Sequence, residues 1–197
     1  MQFFIKTLVG SLATILLATN VAQAAAPCAI PTRPAESSFM FYVPDVPIRN
    51  QLATEEVLSD PENVFFLQGQ ILGNDCNPIT GAEVEIWYAG TPDSAGNYYL
   101  QDYRGRQRVD ECGSYKFTQS FPVQFVGSPH VHVRVSKNNT ELIVTKVYFE
   151  ESLAVYFVPD PSIVSQVTNE ADGSRSAVFN IYLDMSGTET LGCGKFS

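Results

Sequence analysis

The chain has 197 residues, of which 45% are hydrophobic and 17% are charged, and its formal net charge is −9. This balance is typical of a globular protein with a hydrophobic core, and it excludes a disordered or low-complexity chain. An acidic chain without basic runs is also a poor candidate for binding nucleic acid or an anionic membrane surface.

Residues 1–24 have the pattern of a secretory signal peptide. One basic residue, Lys6, precedes an apolar run from Thr7 to Ala18, and Val21–Ala24 supplies the small-x-small end at which cleavage is expected. The alternative, a membrane anchor, is disfavoured because spanning a bilayer takes roughly 20 apolar residues. We therefore expect a secreted protein, extracellular or periplasmic, with no membrane association after the signal is removed.

The chain that remains after cleavage, about 173 residues (197 minus 24), is long enough for one domain with a substantial core. Residues 25–62 are rich in proline and polar residues and contain a short aromatic patch at Phe39–Tyr42. We interpret this segment as an extended N-terminal arm that lies over a domain formed by residues 63–197.

From Val64 onward the pattern is that of short β-strands, rich in β-branched and aromatic residues and often alternating. The predicted strands are Val64–Leu72, Ala82–Ala89, Ser114–Ser120, His130–Ser136, Glu141–Phe149, Leu153–Val158 and Ala177–Asp184. Helix signals are few, and Pro161–Asn169 is predicted to hold a short helix at most. Seven short strands separated by turn signals predict an all-β fold, a β-sandwich of mostly antiparallel strands.

Four cysteines follow the predicted signal peptide, and an even number in an oxidising compartment predicts two disulfides. Three pairings are possible. We favour Cys28–Cys193, which would tie the two tails together, and Cys76–Cys112, which would bridge neighbouring strands. A cysteine metal site is disfavoured because no two cysteines lie two to four residues apart. A glycosylation sequon begins at Asn138.

The only two histidines of the chain, His130 and His132, lie two residues apart in a predicted strand. Side chains at positions i and i+2 of a strand point to the same face, about 6.6 Å apart along the chain. Two such imidazoles can converge on one metal ion, while Val131 and Val133 point the other way into apolar packing. The alternative is an ordinary histidine pair on a half-buried strand face, so a metal site needs a third ligand.

Tyrosine is the candidate for that third ligand. Three of the nine tyrosines, Tyr98, Tyr99 and Tyr103, lie close together before a predicted strand. A phenolate is a hard anionic ligand suited to iron(III), and a bound metal would lower the phenol pKa from its usual value near 10. Considered alone, these tyrosines are more typical of aromatic packing or of loops.

Several separate stretches of the chain follow one another in a recognisable order. They are Gly69–Leu72 with Cys76–Trp87, Gly96–Tyr98, Tyr103–Phe117, Pro129–His132 and Leu142–Glu150. They resemble the "PVxGAxVEIW", "GxY", "FRGRQxTDxxGxYxF", "HIH" and "LITQLYFEG" segments of the intradiol ring-cleavage dioxygenases of the protocatechuate and catechol type. Upstream, Phe41–Pro44 and Pro47–Arg49 resemble the lead-in of secreted members. The resemblance covers roughly residues 39–150.

The resemblance implies a non-haem iron(III) held by two tyrosines and two histidines. Three of these four ligands have counterparts here, namely Tyr98, His130 and His132, with Tyr99 and Tyr103 as substitutes if the strand alternation is shifted by one. The second tyrosine has no counterpart. Counting from the preceding proline puts Phe125 in its place, and counting back from the histidines puts Gln124 there.

Two other positions depart from the family pattern. The arginine expected three residues before the first histidine, which is thought to stabilise the oxidised substrate, is Gly127 here. The glutamine of the "TQLYF" segment is Lys146, which could restore a positive charge near the substrate, although as a point charge without a fork of donors.

The function implied by the resemblance is iron(III)-dependent opening of a catechol-type aromatic ring between its two hydroxyl-bearing carbons, with the aromatic diol and O₂ as substrates. In the family, the incoming catechol displaces the second tyrosine, so its loss should lower iron affinity and rate more than it forbids the reaction. The alternative, from another functional class, is a catalytically degenerate β-sandwich that binds a phenolic, carbohydrate or protein partner.

Overall fold

The structure is a computed structural model that describes residues 30–35, 41–125, 127–153, 160–188 and 193. The predicted signal peptide, Cys28 and most of the predicted strand Leu153–Val158 lie outside the described residues. Within the described part of the chain, no helix is long and apolar enough to cross a membrane.

Ten strands in two mixed sheets make up most of the described chain. The first sheet contains β1 (Val64–Gly73), β4 (Ser114–Ser120), β8 (Val167–Asn169), β9 (Arg175–Val178) and β10 (Ile181–Leu183). The second contains β2 (Glu83–Tyr88), β3 (Arg104–Arg108), β5 (His130–Lys137), β6 (Thr140–Phe149) and β7 (Val164–Ser165). One short helix, α1 (Glu55–Leu58), and a few 3₁₀ turns complete the described elements. The predicted all-β sandwich is confirmed.

The first sheet is organised around β1. Strand β4 pairs with it antiparallel, while β9 and then β10 pair with it parallel, and β8 pairs with β9 antiparallel. The second sheet has the strand order β3-β2-β5-β6-β7, in which only β6 and β7 are parallel neighbours. Most pairings are therefore antiparallel, as the sequence predicts.

The core lies between the two sheets, and strand alternation decides which side chains enter it. On β5, Val131, Val133 and Val135 are fully buried in the core, because every second side chain of a strand faces the same side. Phe65 and Phe117 meet them from the first sheet. The histidines of β5 therefore lie on the opposite, outer face of the second sheet.

Three observed strands have no counterpart in the sequence prediction. Strand β3 reads Arg-Gly-Arg-Gln-Arg and lacks an apolar alternation; it is an edge strand that is buried at its first two residues and exposed at its last. The segment predicted to hold at most a short helix, Pro161–Asn169, is a single 3₁₀ turn followed by β7 and β8. The last predicted strand is split into β9 and β10, with a break at Phe179 and Asn180.

The described parts of the predicted arm run across both sheets. The backbone N–H of Thr32 donates to Tyr182 in the first sheet, and that of Ala35 donates to Val144 in the second. Farther along, Ile48 forms an isolated bridge with Arg106 on β3. The arm is not extended throughout, because α1 begins after the capping side chain of Thr54.

Both favoured disulfide pairings are wrong. Cys112 is bonded to Cys193, with Cα atoms 5.3 Å apart, and Cys76 is disulfide-bonded as well. Cys112 lies on the exposed turn before β4, and the C-terminal segment returns past this region, where Gly187 donates to the carboxylate of Asp75. The pairing follows from this return of the chain, which spacing along the sequence does not reveal.

Candidate metal centre

The candidate site lies on the outer face of the second sheet, where the register of three strands sets its neighbours. His132 is opposite Trp87 of β2 on one side and Lys146 of β6 on the other. His130 is opposite Tyr148 of β6. Side chains opposite each other in antiparallel strands have Cβ atoms about 5 Å apart, so these five residues form one continuous surface.

The two imidazoles converge as the sequence predicts. Their Nε2 atoms are 3.2 Å apart. The Nδ1 of His130 lies 2.8 Å from the carbonyl oxygen of Ser128 and must donate to it, so the lone pair of this imidazole is on Nε2. The same kind of carbonyl contact fixes the tautomer and ring orientation of histidines that bind metals.

The surroundings fix the ring of His132 and disfavour the charged form of His130. His132 is 1% exposed, and its ring stacks on Trp87 with centroids 5.0 Å apart. Burial lowers the pKa of His130, and nearby Lys146 lowers it further, although the contact with Ser128 acts in the opposite direction. A neutral imidazole is the form that binds a metal ion.

The separation of the Nε2 atoms fits a shared cation. The two Nε2 atoms are 3.2 Å apart. If each bound the same ion at about 2.1 Å, the angle between the two bonds at the ion would be about 100°. The same separation also fits a hydrogen bond between the two rings, so it needs a further ligand to mark a metal site. No group of three or more His, Cys, Asp and Glu side chains in the described ranges could hold a metal ion. The third ligand must therefore come from another residue type.

Of the three candidate tyrosines, Tyr99 contacts a histidine, and Tyr98 packs against Phe125. The ring of Tyr99 meets that of His132 edge to face, with centroids 6.1 Å apart. The ring of Tyr98 is half-buried and packs 4.5 Å from Phe125. Tyr103 is turned away, since its hydroxyl donates to the carbonyl of Thr91. Tyr98 and Tyr99 are thus adjacent in one loop, which reaches the histidine pair through Tyr99.

Burial disfavours the ionised form of two phenols near the site, those of Tyr99 and Tyr148. Burial raises the pKa of Tyr99 to about 12, and Tyr148 raises it further. Burial also raises the pKa of Tyr148. Ionisation of Tyr99 at neutral pH would therefore require a strong positive charge nearby, such as a bound metal ion.

Phe125 occupies the mouth of the site. Its ring is 41% exposed and contacts Tyr98, Tyr99 and Phe41. This contact with the tyrosine loop favours Phe125, rather than the exposed Gln124, as the residue in the second tyrosine's place. Gly127, at the position expected for an arginine, has a left-handed φ of 77° and open space around it.

The sequence analysis did not identify Arg104, which anchors the loop that bears Tyr98 and Tyr99. This guanidinium is 3% exposed and donates to three carbonyls, of Tyr99 at 2.8 Å, Leu100 at 3.3 Å and Phe41 at 3.4 Å. The ring of Phe41 in turn stacks on that of Tyr99 at 4.2 Å. Arg104 therefore joins the tyrosine loop to the arm. Its only signal in the sequence was a place in the resembling "FRGRQ" segment.

A charged network borders the site on β2 and β5. Arg134 pairs with Glu85 at 3.3 Å and with Glu141 at 3.0 Å. Burial raises the pKa of Glu85, and the opposing effect of Arg134 is smaller. The ring of Tyr42 lies above Trp87, with centroids 5.3 Å apart, and closes this side of the site.

The sequence and the fold are similar to those of known ring-cleaving dioxygenases. No protein-family model matches the chain. Catechol 1,2-dioxygenase 2 of Acinetobacter lwoffii is 30% identical over 95 residues, which are 45% of this chain and 34% of that protein. Chlorocatechol 1,2-dioxygenase of Pseudomonas putida is 25% identical over 116 residues, 47% of this chain and 44% of that protein. The chain thus spans less than half the length of these two curated relatives.

The solved structures agree with the sequence matches. The dioxygenase domain of a dioxygenase–carbohydrate-binding protein fusion from Streptomyces sp. SirexAA-E superposes with a TM-score of 0.66 at 25% identity, covering 80% of this chain and all of that domain. An intradiol ring-cleavage dioxygenase from Tetranychus urticae superposes with a TM-score of 0.59 at 18% identity, covering 80% of this chain and 95% of that one.

Proposed function

This chain belongs to the intradiol ring-cleavage dioxygenase family, and we propose from this membership that it opens the ring of a catechol-type aromatic between the two hydroxyl-bearing carbons. The proposed enzyme uses O₂ and a non-haem iron(III) held by Tyr98, His130 and His132. We further propose that it is secreted, with residues 1–24 as its signal peptide.

The observation that carries the proposal is the convergence of the histidine Nε2 atoms at 3.2 Å beneath a loop that bears two tyrosines. Two neutral imidazoles and a phenolate suit iron(III). Three protein ligands also leave open positions, which a catalytic metal requires. Iron(III) bound there would supply the Lewis acidity and the electronic activation of the aromatic diol that the side chains cannot provide.

The side chains prepare the site for that chemistry. The contact between His130 and Ser128 keeps the lone pair of Nε2 directed into the site, and Trp87 fixes the plane of His132. The rings of Phe41, Tyr99 and Phe125 provide apolar surface against which an aromatic substrate can lie, and they reduce its contact with water.

The departure at Phe125 affects how protons move. Phenylalanine has no group that could accept the proton of an incoming catechol hydroxyl, so this proton must pass to another group or to solvent. It also offers no fourth ligand. We therefore expect weak activity and weaker iron binding than a site with two tyrosinates and two histidines would have.

The test is O₂ uptake by the iron-loaded protein with catechol and protocatechuate, together with its visible spectrum. Wild type should show a coloured tyrosinate–iron(III) band and slow uptake, and His130→Ala and His132→Ala should lose both. Tyr98→Phe and Tyr99→Phe identify the phenol that gives the colour. An iron-loaded wild type without uptake across a panel of catechols contradicts the proposal.

A second candidate function is a binding module for phenolic compounds without turnover. Phe125 favours it, because this residue replaces a tyrosine and extends the aromatic surface formed by Phe41 and Tyr99. Tight binding of catechols to the metal-free protein, without O₂ uptake after iron loading, would support this function over catalysis.

A further inference from the structure

Lys146 is a cation on the sheet face that carries the candidate site. It lies directly opposite His132 across the β5–β6 pair, on the same outer face as His130 and Tyr148. Its side chain is half-buried, and opposite residues of antiparallel strands have Cβ atoms about 5 Å apart. The ammonium group is therefore within electrostatic range of anything that binds at the histidine pair.

This ammonium has no anionic partner in the part of the chain that the structure describes. No carboxylate of the described residues lies within 4 Å of it, and burial lowers the pKa of this lysine. The carboxylates of the charged network that borders the site, Glu85 and Glu141, both pair with Arg134. A partly desolvated charge is costly unless it is paired.

Several buried or partly buried arginines of the described chain have hydrogen-bond or ion-pair partners. Arg104 donates hydrogen bonds to three backbone carbonyls. Arg49, Arg134 and Arg175 form ion pairs. Lys137 is also half-buried and without an ion pair among the described residues, but it lies at the other end of β5 from His130. Lys146 is the half-buried positive charge next to the site, in a chain whose net charge is −9.

We propose, resting on the function proposed above, that Lys146 binds an anionic ring substituent of the substrate and that the preferred substrates are catechols bearing a carboxylate. In the proposed site, the two hydroxyl oxygens of the catechol would bind the iron at the histidine pair. The charge of Lys146 is additional and lies to one side of that position, one strand away from His132. It fits a second negative group on the same molecule.

The test compares 3,4-dihydroxybenzoate with its methyl ester, which keeps the ring and the carbonyl but removes the negative charge. Binding to the iron-loaded full chain is measured from the change in visible absorbance and, independently, by calorimetry. Wild type should bind the acid about tenfold more tightly than the ester, because a partly exposed charge-assisted hydrogen bond has roughly that effect.

Three variants identify the source of any preference. Lys146→Met should remove the difference between acid and ester, and Lys146→Arg should restore part of it. Lys116→Met, which removes an exposed ammonium on the first sheet over the ring of Phe66, is the matched control and should behave as wild type.

The outcomes separate this inference from the proposed function. If wild type binds both compounds equally well, or if Lys146→Met weakens both by the same factor, substituent recognition is refuted while catechol binding stands. If iron-loaded wild type binds neither compound, the proposed function fails and the inference fails with it.

Discussion

Arg104 offers the sharpest test of how the site is held together. Substitution by methionine keeps most of the buried stem but removes every donor to the carbonyls of Tyr99, Leu100 and Phe41. The contact with Tyr99 is short and well formed, while the other two are longer and weaker. Hydrogen bonds from a charged group contribute about 1.5–3 kcal/mol each, and buried carbonyls left without donors carry a desolvation cost.

We therefore expect Arg104→Met to lower the free energy of unfolding by about 3 kcal/mol. With a urea m-value of about 2 kcal/mol per molar for a domain of this size, the midpoint should fall by about 1.5 M. Destabilisation alone would not prove a role in the site. The second measurement is iron affinity with the visible tyrosinate band, which we expect to weaken about tenfold because the loop bearing Tyr98 and Tyr99 loses its anchor.

The controls are Arg104→Lys, which keeps the charge and some donors, and Arg108→Met, the same change at an exposed position on the same strand. Arg104→Lys should recover part of both losses, and Arg108→Met should match wild type. A urea midpoint within about 0.3 M of wild type, equivalent to about 0.6 kcal/mol at that m-value, would refute the reasoning. So would a tyrosinate band unchanged in a folded, iron-loaded Arg104→Met protein.

Three further predictions concern other residues. Because burial raises the pKa of Glu85, its ionised form opposes folding, so wild-type stability rises as the pH falls through the raised pKa. The stability of Glu85→Gln relative to wild type should therefore be greater at pH 8 than at pH 5 in urea unfolding, with Glu83→Gln as the control. Cys112→Ser should cost up to about 4 kcal/mol, because its bond to Cys193 closes a loop with a sequence separation of 81, and unchanged stability would contradict this. Phe125→Tyr should raise iron occupancy and deepen the tyrosinate band, and an unchanged metal content would show that residue 125 does not reach the metal.

Local periodicity explains what the sequence could predict. The alternation of Val131 and Val133 with the two histidines placed both imidazoles on one face, and the structure brings them together. The strands rich in β-branched and aromatic residues were found for the same reason.

Long-range pairing explains what the sequence could not predict. The neighbours of the histidines, Trp87 and Lys146, are set by the register of strands that lie far apart in the chain. The polar edge strand β3 carries no apolar pattern, so its buried Arg104 was overlooked. The partner of Cys112 depends on the path of the C-terminal segment and cannot be read from cysteine spacing.

The parallel neighbours of β1 have a consequence for the order in which the molecule can assemble. Phe65 pairs with Arg175 and Ile71 pairs with Ile181, so each contact joins residues 110 positions apart. At a synthesis rate of about 5–20 residues per second, this side of β1 waits roughly 5–20 s after it is made before its partners exist. During that interval an apolar strand presents unpaired backbone groups, which are a template for aggregation. Segments made 110 residues later therefore complete the sheet around β1.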